Sequence, residues 1–138
     1  MTASDRSTLL APGLEGRAET VVTRALTAAA LGSGTADVYA TPAMVALMEA
    51  AAVAATEDHL APGETSVGIH LDVSHKAATP PGSTVRATAT LVAVEGRKLT
   101  FAIEAHDTAE LIGEARHTRV IVDAARFEQK AHAKGERT

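Results

Sequence analysis

The chain contains no cysteine and no tryptophan, and its only aromatic residues are one tyrosine and two phenylalanines. The absence of cysteine excludes disulfide bonds, thiolate zinc sites and cysteine nucleophiles. A core without many aromatic residues must be built from Ala, Val, Leu, Ile and Met. Such small side chains let backbones approach closely but bury little area each. We therefore expect a partner subunit to complete the core.

Excess positive charge is also lacking. The formal net charge is −4 and the sequence pI is about 5.8, which argues against a nucleic-acid-binding protein. The first ten residues, MTASDRSTLL, have neither the basic start nor the apolar stretch of a signal peptide. The longest apolar run is shorter than a membrane span. We expect a soluble cytoplasmic protein that contacts neither membranes nor nucleic acids.

The length of 138 residues and the 46% hydrophobic content fit one globular domain over residues 1–138. Residues 1–14 are small and polar, and we expect them to be loosely ordered. Residues 27–37 (TAAALGSGTAD) contain small residues and glycine, which indicates a loop or weak helix able to act as a flap.

One long apolar helix dominates the predicted secondary structure. Thr41 and Pro42 form a start signal, with Thr41 as the N-cap and Pro42 in the first turn. The helix should run to about Leu60, before the Pro62-Gly63 terminator. Strands are predicted on both sides of it, over residues 15–26, 66–76, 84–94, 99–106 and 111–122, and the middle three show alternation of the apolar residues. Residues 123–134 resemble a solvated helix.

Strand alternation also predicts which side chains face the core. In the second strand, His75 falls in phase with four apolar residues, and Ser66 and Gly68 fall on the opposite, polar face. In the third strand, Ala93 should face inward. One strand, a long helix and four strands joined mostly by short turns imply an antiparallel sheet against one helix. We predict the α+β hot-dog fold, in which such a sheet wraps around a long central helix.

Glu49 is the only ionisable residue between Pro42 and Thr56. A helix without a polar face is a core helix, and a lone carboxylate is costly there unless it is paired or used. A structural Glu at the helix edge or at a subunit contact is the alternative. His75 is the second ionisable residue predicted on an apolar face. A carboxylate can orient an imidazole and stabilise its charged form. We therefore predict a functional Glu49–His75 pair.

Thr41 has two interpretations, a plain N-cap or a hydroxyl beside the free N–H groups of a helix N-terminus, which favour developing negative charge. Eight residues of helix separate Thr41 from Glu49, or roughly 12 Å along the axis. The two side chains cannot meet within one helix. A shared site needs His75, substrate, water or a second subunit to join them.

The remaining polar candidates have simpler interpretations. His117 and Arg119 share one face of the last strand, which we interpret as a solvated face. Arg97 and Lys98 lie at a turn, as surface charges or as contacts to a phosphate. We expect the other four histidines to be at the surface: His59, His70, His106 and His132.

The segments VYATPAMVALMEAAAV, VSHKAATPPG, VEGRKL and IGEARHTRVIV resemble the fluoroacetyl-CoA thioesterase family of hot-dog proteins. The similarity extends from about Val38 to Phe127. It implies a homodimer that hydrolyses acyl-CoA without a metal or other cofactor. The catalytic Thr, Glu and His of the family fall on Thr41, Glu49 and His75.

The same resemblance places substrate-binding residues at Gly68 and Arg119. We also expect Arg119, Arg97 or Lys98 to contact the CoA phosphates. Fluoroacetyl-selective members carry phenylalanines in a lid before the core helix. Here that region has Tyr39 as its only aromatic residue, which we also expect to contact substrate. The resemblance therefore implies thioester hydrolysis rather than fluoroacetyl selectivity.

Two alternative functions are compatible with these residues. A hot-dog enoyl-CoA hydratase or dehydratase would act on acyl thioesters without releasing thiol. A non-catalytic protein would bind acyl-CoA or another small ligand in the same pocket. Thr41 together with Glu49 and His75 favours the hydrolase.

Overall fold

A computed structural model describes residues 10–136, and its elements follow the predicted order closely. The strands are β1 (Glu15–Val21), β2 (Glu64–His75), β3 (Thr84–Glu95), β4 (Lys98–His106) and β5 (Leu111–Asp123). The helices are α1 (Ala28–Leu31), α2 (Thr41–Thr56) and α3 (Ala124–Gly135), with 3-10 turns at Arg24–Leu26 and Glu57–His59. The predicted first strand therefore ends earlier, at Val21, and the rest of that segment turns toward α1.

All five strands form one antiparallel sheet in the order β1-β3-β4-β5-β2. Helix α2 packs on one face of this sheet, mainly across β1 and β3. This architecture confirms the predicted α+β arrangement of a sheet against one long helix. No helix within residues 10–136 is both long and apolar enough to cross a membrane.

Small residues bring the helix close to the sheet. A Cβ added to Gly16 of β1 would clash with the carbonyl oxygen of Ala51 and the backbone nitrogen of Ala55. The backbone of α2 therefore occupies the space that any side chain at residue 16 would need. Buried alanines line both surfaces, on α2 and on the strands: Ala51, Ala52, Ala55, Ala87, Ala89 and Ala105.

The start of α2 differs from the predicted cap by one residue. Ala40 is the N-cap, with extended backbone and no side-chain capping bond, and Thr41 is the first helical residue. Pro42 is the second helical residue rather than the predicted first one, and it still lies in the first turn, where its missing N–H costs nothing. The hydroxyl of Thr41 is consequently not used for capping.

Bulges in two strands change the faces predicted from alternation. In β2 the register shifts between Gly68 and His70, so Ile69 is an extra residue. Ser66 and Gly68 pair with inward-facing residues of β5 and face inward, contrary to prediction, whereas His75 faces inward as predicted. A similar shift at Val92 of β3 turns Ala93 outward and Val94 toward the core.

The predicted loose N-terminal segment is wrong for its last five residues. Leu10 is buried in the core, and Leu14 packs against it. The backbone N–H of Gly13 donates to the carbonyl of Leu91 at 2.8 Å, and Leu91 donates in turn to Leu14 at 2.8 Å. Gly13 and Leu14 therefore continue the backbone pairing with β3 beyond the start of β1. The rest of the prediction, for residues 1–9, lies outside the described residues.

Candidate active site

The first turn of α2 and the end of β2 meet at a hydroxyl–imidazole pair. Thr41 Oγ1 lies 2.7 Å from His75 Nδ1, which is a short hydrogen bond. His75 faces inward because Leu71, Val73 and His75 share one phase after the bulge. Since Thr41 is the first helical residue, its hydroxyl lies beside backbone N–H groups that have no intrahelical acceptor.

His75 is held in its neutral form. Burial lowers the pKa of His75 below the usual 6.5, and a backbone contact with Ala77 acts in the opposite direction. Its Nε2 atom is buried and has no well-formed hydrogen bond among the described residues. A neutral imidazole bonded to a hydroxyl is the arrangement needed for general-base catalysis near neutral pH.

A pocket of about 240 Å³ opens beside this pair. Thr41 and His75 line it together with the segment that the sequence predicted as a flap, of which α1 forms part. Most of the remaining lining is small: Ala28, Ser33, Val38, Ala77 and Ala78, with Tyr39 and Lys76. The pocket therefore places mostly small side chains next to the hydroxyl.

Tyr39 is almost entirely buried rather than displayed on a lid. Its backbone N–H donates to Thr79 at 2.8 Å, and its hydroxyl has no hydrogen bond among the described residues. Burial raises the pKa of Tyr39 to about 12. The phenol is therefore a neutral part of the wall between the pocket and the core.

Glu49 lies on the side of α2 that faces β5, and its carboxylate is paired. Arg119 Nη1 donates to Glu49 Oε2 at 3.2 Å, and His117 Nε2 lies 3.9 Å from the same oxygen. The Glu49 side chain is 43% exposed, so it lies at the helix edge rather than in the core. The interpretation of Glu49 as a buried lone charge is thus corrected to a partly exposed charge with a cationic partner.

Arg119 is buried, and its guanidinium is held from several sides. Its Nε donates to Ser66 Oγ at 2.8 Å and its Nη2 donates to the Ser66 carbonyl at 2.9 Å. Gly68 completes the enclosure, since a Cβ there would lie 2.9 Å from Glu49 Oε2 and 3.0 Å from His117 Cε1. A buried guanidinium engaged in this way is not placed to reach an exposed CoA phosphate. Arg97 is exposed but bonds Glu64 and the Ile121 carbonyl, both at 3.3 Å.

The burial of His117 shows that the face of β5 predicted to be solvated is not. Its side chain is only 2% exposed, and Arg119 is 6% exposed, so this face of β5 is interior rather than solvated. Sequence alternation missed this because two ionisable residues two positions apart are typical of a solvated face. The apolar neighbours Ala115 and Ile121 in the same phase were the available signal.

The predicted pairing of Glu49 with His75 is not found among residues 10–136. His75 bonds Thr41, whereas Glu49 bonds Arg119, so the three predicted catalytic residues form two groups along one helix. Their separation follows from the roughly 12 Å that eight helical residues span. The structure adds His117 and Ser66 to the second group, which sequence reasoning did not select.

Other polar clusters do not compete with this site. A larger hollow of about 510 Å³ lies on the outward face of the sheet, and neither Thr41 nor His75 lines it. His70, His106 and His132 are exposed as predicted, whereas His59 is half-buried. No group of three or more His, Asp or Glu side chains in the described chain is placed to hold a metal ion.

Comparison with known proteins identifies the family. Residues 22–125 match the family described as fluoroacetyl-CoA-specific thioesterase, FlK. The fluoroacetyl-CoA thioesterase of Streptantibioticus cattleyicolor is 46% identical over 98 residues, which cover 71% of this chain and 70% of that protein. The chain belongs to the FlK thioesterase family. The resemblance inferred from the sequence is therefore confirmed.

Solved structures agree with this FlK assignment. A structure of FlK has a TM-score of 0.85 at 38% identity, covering 90% of this chain and 96% of that chain. A thioesterase superfamily member from Thermus thermophilus has a TM-score of 0.84 at 33% identity, covering 92% and 94%. A hot-dog-like protein from Thermanaerovibrio acidaminovorans, 24% identical with a TM-score of 0.84 over 94% of this chain and 96% of its own, shares the fold. The predicted hot-dog fold is confirmed.

Proposed function

We propose that this member of the FlK family hydrolyses a small acyl-CoA to the free acid and CoA, with Thr41 and His75 as catalytic residues. The observation that carries the proposal is the 2.7 Å bond between Thr41 Oγ1 and a neutral His75 at the N-terminus of an apolar helix. FlK variants have been crystallised with acetyl-CoA and with fluoroacetate and CoA. A CoA thioester is thus the substrate class to test here.

The thioester carbonyl would lie against the first turn of α2, where unpaired backbone N–H groups stabilise a developing oxyanion. As Thr41 Oγ1 attacks that carbonyl, the hydroxyl proton passes to His75 Nδ1. The C–S bond then breaks, and the leaving CoA thiolate takes this proton from His75. Water then attacks the acyl-threonine with His75 again as base, which returns the free acid and the Thr41 hydroxyl. Direct attack by water uses the same imidazole and the same proton balance.

Glu49 serves a different part of the same site. Its Oε2 faces Arg119, and Gly68 leaves room for the carboxylate beside β2. About 12 Å of helix separates Glu49 from Thr41. Glu49 therefore acts on water or on the part of the substrate nearest to its carboxylate, or it belongs to a site that a second subunit completes. Gly68 and Arg119 are proposed substrate-side groups that shape this end, and Tyr39 is proposed to contact the acyl portion.

The pocket walls favour a small or short aliphatic acyl group. Alanines, Ser33 and Val38 surround the 240 Å³ space, and the described flap carries no phenylalanine. A water molecule takes up about 30 Å³ of liquid, so the pocket exceeds what a two-carbon acyl group fills. We therefore expect no strict preference for the fluoroacetyl group.

A thiol-release assay with a panel of acyl-CoAs tests the proposal directly. We expect continuous release of free CoA over many protein equivalents with acetyl-, propionyl- or butyryl-CoA, and weaker release with long chains. Binding in calorimetry without thiol release would instead indicate a non-catalytic acyl-CoA-binding protein. Reversible hydration of crotonyl-CoA without thiol release would indicate a hydratase.

We also propose a homodimer formed through the β2 edge. Strand β2 pairs only with β5 among the described strands, and its bulge residue Ile69 is 57% exposed. The outer stripe of α2 is also apolar and exposed: Pro42, Ala46, Ala50 and Ala54. An unpaired edge beside an apolar helix face is the kind of surface that a second copy of the chain covers.

Sedimentation equilibrium measures this assembly. We expect the wild-type protein to have twice the chain mass of 14.2 kDa. Ile69→Lys should shift the equilibrium toward monomer, since it places a charge on the proposed interface. Val92→Lys is the matched control, because Val92 is an exposed bulge residue of β3 away from that edge. A wild-type monomer, or an Ile69→Lys dimer as tight as the control, would contradict the proposal.

A further inference from the structure

His117 is a buried imidazole to which the proposed chemistry gives no role. It lies on β5 between Leu71 of β2 and Phe101 of β4, and the centroids of the His117 and Phe101 rings are 6.3 Å apart. Its side chain is 2% exposed. A polar ring in this position is costly unless both of its nitrogens are satisfied.

The contacts of the ring determine its tautomer. Nδ1 lies 2.8 Å from the backbone carbonyl oxygen of His70, which can only accept, so Nδ1 carries the proton. Nε2 lies 3.1 Å from Arg119 Nη1, which can only donate, so Nε2 carries the lone pair. The ring is therefore neutral and joins the β2 backbone just after its bulge to the guanidinium on β5.

Nη1 of Arg119 consequently makes two contacts, to His117 Nε2 and to Glu49 Oε2 at 3.2 Å. The other side of the guanidinium is fixed on Ser66 through Nε and Nη2. Because Nε, Nη1 and Nη2 are all hydrogen-bonded, the guanidinium plane cannot rotate. The position of Arg119 relative to the Glu49 carboxylate is therefore fixed. Removing the acceptor at Nε2 would free one Nη1 hydrogen and allow Arg119 to turn toward the carboxylate.

We propose that His117 is a positioning residue for thioester hydrolysis, which as a neutral acceptor orients Arg119 and through it the Glu49 carboxylate. This inference rests on the proposed function. Protonation of Nε2 would turn the acceptor into a donor facing the donor Nη1. The ionisable groups around the ring are Arg119 on β5, Glu49 on α2 and His70 on β2. Acidification should therefore disturb the Arg119–Glu49 contact as well as the base His75.

Two variants separate hydrogen bonding from packing. His117→Gln offers an acceptor oxygen to Arg119 and does not ionise, and His117→Phe fills the space without any polar atom. We expect kcat to fall about 100-fold in His117→Phe, as for a misplaced catalytic group, and about tenfold or less in His117→Gln, with KM changed less than kcat. His106→Gln, an exposed histidine at the end of β4, is the control. Equal losses in the Gln and Phe variants would overturn the proposal.

The pH profile is a readout that a purely structural role would not move. Burial and Arg119 lower the pKa of His117, while the His70 carbonyl and Glu49 raise it. If both His75 and His117 must be neutral, log(kcat/KM) for the wild type should fall on the acid side with a slope approaching two. In His117→Gln the slope should fall to one. An unchanged acid slope in His117→Gln would contradict the inference.

Nitrogen NMR of the wild-type protein tests the tautomer without any substitution. We expect His117 to show a protonated Nδ1 and an unprotonated Nε2 at neutral pH, and the opposite tautomer would overturn the proposal. Wild-type turnover is measured first, so that a failure of the proposed function can be distinguished from a failure of the positioning role. Absence of thiol release would reject the proposed function, whereas normal release with unaffected His117 variants would reject only the positioning role.

Discussion

Replacing His75 by alanine should reduce kcat/KM for acyl-CoA hydrolysis by about 10²- to 10⁴-fold, the usual contribution of a general base. The substitution removes the acceptor of the 2.7 Å bond from Thr41 and leaves no other base within reach of that hydroxyl among the described residues. The fold should persist, because His75 is only half-buried and its Nε2 makes no well-formed hydrogen bond within residues 10–136. Thiol release and thermal unfolding measure the two effects separately.

His132→Ala is the matched control for this substitution, since His132 is exposed on α3. It should leave turnover unchanged. Because burial lowers the pKa of His75, wild-type activity should persist below pH 6.5 and decline only as the pH falls through the lowered value. A folded His75→Ala protein that retains most of its turnover would reject His75 as the base.

Gly16→Ala should destabilise the protein by at least about 3 kcal/mol, the upper part of the usual range for overpacking. The new Cβ would clash with the Ala51 carbonyl oxygen and the Ala55 backbone nitrogen. Both neighbours are helix backbone, which cannot move aside by changing a rotamer. The whole of helix α2 must shift away from β1, and this shift loosens all the alanine contacts between α2 and the sheet. Urea unfolding measures the loss.

Gly135→Ala is a suitable control, because a Cβ added there meets nothing within 4 Å. In a helix, alanine is favoured over glycine by about 1 kcal/mol, so this variant should be as stable as the wild type or slightly more stable. A Gly16→Ala protein with an unfolding midpoint equal to that of Gly135→Ala would show that α2 does not pack as tightly on β1 as the structure indicates.

The main elements could be predicted because their signals are local. Alternating apolar residues located β3 and β4, the turn at Asp107-Thr108 preceded β5, and Pro42 together with an apolar run interrupted only by Glu49 located α2. The bulges at Ile69 and Val92 could not be predicted in the same way. A bulge depends on the pairing of two distant strands, and residue alternation within one strand does not report it.

The candidate site was predictable only in part. Glu49 and His75 stood out because each is an ionisable residue on a face predicted to be apolar, and Thr41 stood out because its hydroxyl lies at a helix N-terminus. That Glu49 contacts Arg119 rather than His75 follows from the tertiary positions of α2 and β5. His117 was missed because a buried histidine accepting from an arginine has the same sequence pattern as two residues on a solvated face.

The extra residue in β2 makes one strand present two different surfaces to the interior. Before Ile69, the inward positions carry Ser66 and Gly68, which enclose a guanidinium; after it, they carry Leu71, Val73 and His75. Sidedness in a strand depends on whether a position is odd or even, and the inward residues are even-numbered before Ile69 and odd-numbered after it. Deleting Ile69 would therefore remove the bulge and leave both halves on their present faces, whereas deleting or inserting a residue elsewhere within β2 would turn every side chain of one half to the opposite face. The length of β2 is therefore as much a determinant of the site as the identity of its residues, and lengthening or shortening the protein is tolerated better in its turns.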